Sequence, residues 1–369
     1  MTPTTKKSTL LANELKEGLI SHLMSAVKPK ANRLDHDSPT LFDAFYALGA
    51  RGWLIPKAPG HWQGLGLSGL DYQQFQQTIA RYSGALAFLQ TQHQSAASLL
   101  LASDNEALQQ RYLPGMATGA QRLGVGFSQL RRRPAPLTAR AVAGGYRLSG
   151  QVPWVTGAGL FTDFVGAAVL PDGQAVFGVL PLANQLDSQS TADGCLRVDA
   201  PMALAGMSAT NTVSVALEDW FLGAAAVVGT RPAGWLEQRD RANPLSPLGL
   251  IFGCTEAGID VLNAALIRRK IDHAIAQQLT LKLAKLQREL PRVLALPDDA
   301  FAEKMALRGQ AIGLMQTSAM AATVATSGAA NAIAHPAQRV YRESLVFSVS
   351  GQTSAGAIAT LNSLVIPLL

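Results

Sequence analysis

Apolar positions recur at helical spacing from about Ser8 to Leu123, and the segment LFDAFYALGARGWL sets Leu41, Phe42, Phe45, Leu48 and Trp53 near one face. The stretch LDYQQFQQTIARYSGALAFLQTQHQSAASLLLA keeps that period with almost no breaker and predicts one long helix. Between the two, IPKAPGHWQGLGLSG is rich in Gly and Pro and reads as a loop. A shorter helix over NEALQQRYLPGMATG is predicted to stop at Pro114 and Gly115, where helical hydrogen bonding is disfavoured.

The period then falls to two. RLGVGFSQL, TARAVAGGYRLSGQVPWVTGAG, DFVGAAVLPDGQAVFGVLPL and TNTVSVALEDWFLG carry short alternating or β-branched runs divided by Gly-Gly, Asp-Gly and Ser-Gly. Those dipeptides are hairpin signals, and their close spacing predicts a small antiparallel barrel or sandwich. From about Pro244 the helical period returns in long runs of Ala, Leu and Gln with small residues on their faces, which suits a tight antiparallel bundle. The predicted organisation is a helical domain over 1–123, a β domain over 124–228 and a helical bundle over 229–369.

Composition agrees with this division. The 369 residues exceed the roughly 250 to 300 at which one core stops growing, and 48% of them are hydrophobic against 15% charged. The formal charge of +6 suits an anionic ligand such as a nucleotide, or a merely basic surface. Apart from Arg131, Arg132 and Arg133 there is no dense basic run, so a nucleic-acid partner is not expected. Cys195 and Cys254 lie far apart without a CxxC or His companion, so neither a metal site nor a disulfide is expected. The first residues lack the apolar core of a signal peptide, and no uncharged run of about 18 apolar residues reads as a membrane span. A cytoplasmic protein is expected.

Several pieces together resemble the acyl-CoA dehydrogenase family. GLGLSGLDYQQFQQTIAR, residues 64–81, resembles the family's Gly-Leu-Gly loop with the helix behind it, and LQQRYLPGMATG the segment that closes the first domain. AGGYRLSGQVPWVTGAG, residues 143–159, resembles the hairpin in which Gly-Tyr-x-Leu-x-Gly precedes Trp-Val-Thr. GMSATNTVSVALEDW, residues 206–220, resembles the last β unit, and HPAQRVYRES the start of the final bundle helix. The resemblance covers most of the chain. It implies an N-terminal helical domain, a middle β domain and a C-terminal four-helix bundle. It also implies FAD against the β domain, an acyl-CoA or carrier-bound acyl substrate of fatty-acid metabolism, and a homodimer or homotetramer paired through the bundle. An electron-accepting flavoprotein or a flavin reductase would be the redox partner.

Carried over position by position, the resemblance assigns Trp154 and Thr156 to the flavin, with a core aromatic and ordinary strand propensity as the structural alternatives. Ser128 falls where the family has a threonine facing the flavin, or is a strand-end serine. Thr353 matches the threonine that follows the family's catalytic glutamate, or is a helix cap.

The chain departs from the family at the base itself. Counting without a gap from Arg342 and Glu343, the glutamate position falls on Gly351; with a shift of one it falls on Ser350. Neither can act as a carboxylate base. In the stretch that resembles the family's alternative base site, LSPLGLIFGCTEAG, the only acid is Glu256, equally readable as an acid favoured by the helix dipole. The RxxFG loop is missing from RRKIDHAIAQQL, TSGAANA stands where the family has QxxGGxG, and SQL and RRRPAP replace the Thr-Glu-Pro and Gly-Ser-Asp elements. Within that last replacement an arginine, Arg131 for example, could hold a diphosphate, or the three could be a solvated charge run. Arg339 and Arg342 share one helical side, within reach of Glu343 or Asp219. His93 and His335 read as polar fillers, with His93 on the helix that lines the acyl pocket in the resembled fold.

Three functions follow as expectations: an acyl-thioester dehydrogenase using FAD, a flavin-dependent monooxygenase or oxidase that needs no glutamate, and a non-catalytic descendant of the same fold.

Overall fold

The computed structural model describes residues 4–182, 189–191 and 194–365. The N-terminal domain contains α1 (Thr4–His22), α2 (Ser38–Gly49), α3 (Gly69–Tyr82), α4 (Gly84–Leu101) and α5 (Glu106–Met116). Four of them start on a side-chain cap: Asp37, Ser68, Ser83 and Asn105 each accept a backbone N–H from the first turn of the helix that follows. The single long helix expected over 70–102 is two helices. Ser83 is extended and caps α4 through the Leu86 N–H at 3.2 Å, so the Ser-Gly pair punctuates a pattern whose apolar period runs through it. The opposite occurs at Pro114. α5 continues past it to Met116, because proline forfeits one N–H near the end of a short helix and the tertiary contacts hold the last turn.

The β domain contains β1 (Leu123–Gly126), β2 (Leu137–Val142), β3 (Gly145–Val155), β4 (Asp163–Val169), β5 (Ala175–Pro181), β6 (Gln189–Thr191), β7 (Gly194–Val198), β8 (Val213–Gly223) and β9 (Val227–Arg231). Gly-Gly and Asp-Gly do form the β2–β3 and β4–β5 turns, with positive φ at Gly144 and Gly173. The sheet is nevertheless mixed. Its order is β6-β7-β8-β3-β2-β4-β5-β9, with β1 beside β4, and both β1–β4 and β2–β4 are parallel. Most neighbours pair antiparallel as expected, and the two parallel pairs at β4 are the departure, since alternation marks a strand but not the direction of its neighbour.

The C-terminal part contains α6 (Trp235–Ala242), α7 (Leu248–Arg269), α8 (Ala274–Leu294), α9 (Phe301–Thr326), α10 (Pro336–Val349) and α11 (Ser354–Val365). α7 is long and apolar enough by composition to cross a membrane, but 67% of its apolar window is buried between neighbouring helices. It packs on α9 and α10 on one side and on α3 of the N-terminal domain on the other. The approach to α3 is close enough that a Cβ at Gly253 would collide with the Gln77 carbonyl.

One side chain ties the three parts together. Asp35, only 2% exposed, accepts from Arg342 of α10 at 2.6 and 2.9 Å and from the Met207 N–H of the β domain at 2.8 Å. Arg342 therefore pairs with Asp35 and not with Glu343 or Asp219; Asp219 is taken by Arg140 across the sheet at 2.8 Å. Arg339 does pair with Glu343, at 3.0 Å, and that carboxylate also accepts the Gly84 N–H at 2.9 Å. Burial pushes Glu343 above the usual carboxylate range, and Arg339 opposes that shift.

Replacing Asp35 strands a buried guanidinium and an unpaired N–H. Asp35→Ala is expected to lose about 3 to 5 kcal/mol of stability, read as a lowered urea midpoint, whereas a variant at the exposed Arg140–Asp219 pair should change it by less than about 1 kcal/mol. Equal midpoints for parent and Asp35→Ala would contradict this role.

Candidate active site

Gly351, where the resemblance puts the family's glutamate, lies at the junction of two helices. α10 ends as the Ser350 N–H returns to Val346 O at 2.9 Å, and the chain reverses at Gly351 with φ of +60°. Thr353 then caps α11, its hydroxyl accepting the Gly356 N–H at 3.1 Å. A Cβ built on Gly351 meets nothing within 4 Å, so the backbone is left-handed there but the space in front of it is open. The Gly351 carbonyl accepts Arg308 Nη2 at 3.3 Å, and the buried Gln352 Oε1 has no partner among the described residues.

On the sheet, the β3–β8 register shifts between Val152 and Val155, a bulge that re-aims the side chains between them. Trp154 is 44% exposed, while Thr156 turns inward and its hydroxyl meets that of Thr212 at 3.1 Å. Ser128 is exposed at the start of a 3-10 turn, Ser128–Arg131. Its neighbour Gln129 points inward and donates to Ala167 O at 2.8 Å and to Gly126 O at 3.2 Å, which pins the turn to the sheet.

The arginine run after this turn is mostly engaged. Arg131 grips Asp240 of α6 with two hydrogen bonds, at 2.8 and 3.0 Å, and Arg133 reaches Glu237 at 3.2 Å; Arg132 is exposed and has no carboxylate partner among the described residues. No hydrogen bond or ion pair joins Trp154 or Thr156 to Gly351 or Thr353 among the described residues.

Glu256 lies elsewhere. It is half-buried where α3, α7 and α8 meet, held by Gln77 Nε2 at 2.6 Å, beside a cavity of about 430 Å³ shared with Arg81 and Gln287. Burial pushes its carboxyl up while Arg81 and Gln77 draw it back.

Sequence reasoning missed a group of residues here. Arg308 of α9 is only 4% exposed and donates to Pro244 O and Gly351 O, each at 3.3 Å, with a buried Nε that has no partner. Its signal in the sequence was a charge at the period of an apolar face, between Met305 and Ile312. Arg239 and Asp240 on α6, and Lys57 in the loop before α3, carried no such signal.

His93 is fully buried in α4. Its Nε2 lies 2.9 Å from Met116 O and its Nδ1 lies 3.0 Å from Leu123 O and 3.3 Å from the Leu123 backbone nitrogen, which locks the start of β1 onto α4. Its contacts are backbone contacts, so the side chain positions an inter-domain junction and does not face a substrate.

Comparison with known proteins adds the following. Residues 12–120 match the family model described as acyl-CoA dehydrogenase, N-terminal domain. Among curated proteins, none matches the chain by sequence. A glutaryl-CoA dehydrogenase from Mycobacterium smegmatis has a TM-score of 0.75 at 16% identity over 96% of this chain and 94% of that one. An acyl-CoA dehydrogenase from Geobacillus kaustophilus has a TM-score of 0.77 at 13% identity, covering 96% and 98%. A KijD3 protein in complex with FMN and a dTDP-linked amino keto sugar has a TM-score of 0.72 at 21% identity, covering 98% and 94%.

Burial holds His93 down at about 4, below its usual 6.5. The unfolded chain therefore takes up a proton first, and the stability that the neutral ring contributes is complete above about pH 6.5 and is lost as pH falls toward 4. Between pH 7.5 and 5 the parent should lose about 2 kcal/mol more stability than His93→Asn, which cannot titrate. Urea unfolding at the two pH values tests this, and identical pH slopes would contradict it.

Proposed function

We propose that this chain, which has the acyl-CoA dehydrogenase fold and an N-terminal domain of that family, is a flavin-dependent oxidoreductase that oxidises an acyl thioester between its α- and β-carbons. The observation that carries the reading is Trp154. It is the one exposed tryptophan of five, at the end of a strand whose bulge turns it away from the core, where a flavin ring would cover it.

FAD would lie against this face on Trp154, with Thr156 turned inward beside it, and Ser128 and Thr353 are the further positions that the resemblance assigns to the flavin. When bound, the cofactor accepts the hydride from the substrate's β-carbon. Arg131 would reach a diphosphate only by exchanging Asp240 for it, so the exposed Arg132 is the readier phosphate contact. The proton from the α-carbon has no carboxylate waiting at Gly351. Asp240 of α6 offers no free carboxylate either, since both its oxygens are held by Arg131.

That missing base favours a second reading on the same scaffold, a monooxygenase or oxidase in which reduced flavin meets oxygen. The third, a non-catalytic descendant, remains if no flavin is bound. We also propose a cytoplasmic homodimer or homotetramer. The apolar side chains Met320, Val324, Leu345 and Val349 are exposed along α9 and α10, beside an apolar groove of about 680 Å³, as a face that pairs with a second copy would be. The redox partner would be an electron-accepting flavoprotein in the first reading and a flavin reductase in the second.

The purified protein is expected to show flavin absorption after FAD addition, and Trp154→Ala to retain less of it than the parent. Anaerobic acyl-CoA should then bleach the flavin band; absence of bleaching with reductase-dependent oxygen use would move the assignment to the second reading, and absence of flavin uptake would leave only the third. Gly351→Glu places a carboxylate in open space at a left-handed residue, costing about 1 to 2 kcal/mol of stability. If the proton step limits the parent, it should bleach the flavin about 100-fold faster or more.

A further inference from the structure

A second charged place lies at the other end of α10, about 20 Å along the helix from Gly351. A cavity of about 350 Å³ opens where α10 begins, bounded by α7, the ends of α3 and α9, and the chain from the 3-10 turn Lys28–Lys30 to Asn32. Asn32 fastens that chain to the approach to α10, donating to Ala334 O at 2.6 Å. The space exists because α7 presents small side chains there, Ala257 and Ala264 among them.

Four basic side chains line this cavity against one carboxylate: Lys28, Arg81, Arg268 and Arg339 against Asp260. Arg81 and Asp260 answer each other through two hydrogen bonds, at 2.7 and 2.8 Å, and Arg339 is answered by Glu343. Lys28 and Arg268 remain, both exposed and without a carboxylate partner among the described residues.

The walls also carry unmet polar groups. Arg339 is 5% exposed and Thr326 6%, and neither Arg339 Nε nor Thr326 Oγ1 has a hydrogen-bond partner among the described residues. Buried donors left unpaired are costly, and a ligand that brings acceptor oxygens removes that cost. His335 adds a donor. Its Nδ1 accepts the Ala337 N–H at 3.1 Å, so the neutral ring carries its proton on Nε2. The N-terminus of α10, a helix of 14 residues, adds its partial positive charge at the same place.

We propose that this cavity binds the phosphate group of a small phosphate ester, at a site separate from the flavin face. The two unmatched cations answer the charge of about −2 that such a group carries at neutral pH. A carboxylate, with one charge, would leave a cation unanswered. The volume exceeds that of a bare phosphate and leaves room for part of the ester's organic group. Lys28 belongs to the N-terminal domain, and Arg268 and His335 to the bundle, so the bound ester fastens one to the other.

The test is calorimetric titration of the full chain with glycerol 3-phosphate at fixed ionic strength, with acetate as the singly charged control. Binding to one site is expected, about 10-fold or more tighter than acetate. Arg268→Gln and Lys28→Met, both at exposed side chains, should each weaken it about 10-fold or more. Ala264 is itself exposed, and Ala264→Phe should abolish binding by filling the cavity without changing a charge. His335→Asn keeps a cap for Ala337 and should weaken binding while leaving the urea midpoint of the ligand-free protein unchanged. No saturable binding to the folded parent, affinity unchanged in Arg268→Gln and Lys28→Met, or affinity unchanged in Ala264→Phe overturns the proposal. Acetate binding as tightly as the ester overturns it too. FAD added first should leave the ester's affinity unchanged; competition between the two would make the cavity part of the flavin site and overturn the separate one.

Discussion

Asp35 is where the three parts of the molecule are made into one. Its carboxylate takes two hydrogen bonds from Arg342 of the final bundle and one from the Met207 N–H of the β domain, while its own backbone belongs to the helical domain. A charge this deeply buried is tolerated only when every lone pair is used and an opposite charge lies against it. Both conditions need all three parts docked, so the contact acts as a test of assembly. The second buried pair, Arg339 with Glu343, extends it by one helical turn and adds the Gly84 N–H, which joins α10 to the start of α4.

The same docking sets the candidate site. α10 is held at Arg339 and Arg342, so its C-terminal end, and with it Gly351, is delivered to a defined place. α9 then brings Arg308 under the Gly351 carbonyl, and the turn pinned by Gln129 brings Arg131 to Asp240. The result differs from the arrangement implied by family resemblance. In place of a carboxylate at the junction there is an open left-handed glycine with the Arg308 guanidinium on its carbonyl, and Asp240 is engaged by a second arginine.

Much of the architecture could be read along the chain because it rests on local rules. Helical period, Ser and Asn caps, and Gly-Gly and Asp-Gly turns act over a few residues, and the β2–β3 and β4–β5 hairpins lie where those dipeptides placed them. Local rules failed where a neighbour in space overruled them. Ser83 splits a continuous apolar period because its hydroxyl caps α4, and α5 runs through Pro114. β2 lies parallel to β4, a choice made by packing and invisible to alternation.

The chain alone therefore determined the order of helices, strands and helices, the paired alternatives of flavin contact or core aromatic for Trp154 and flavin contact or helix cap for Thr353, and the lack of a carboxylate at Gly351. Tertiary structure made Thr353 the cap of α11 and turned Trp154 outward through a bulge. It also decided the partners of every charge that matters: Arg342 with Asp35, 307 residues away in sequence, and Arg131 with Asp240, 109 away. Charge pairing across such separations has no local signature. A side chain's periodicity records whether it is buried, while the identity of the opposing charge depends on which element packs against it.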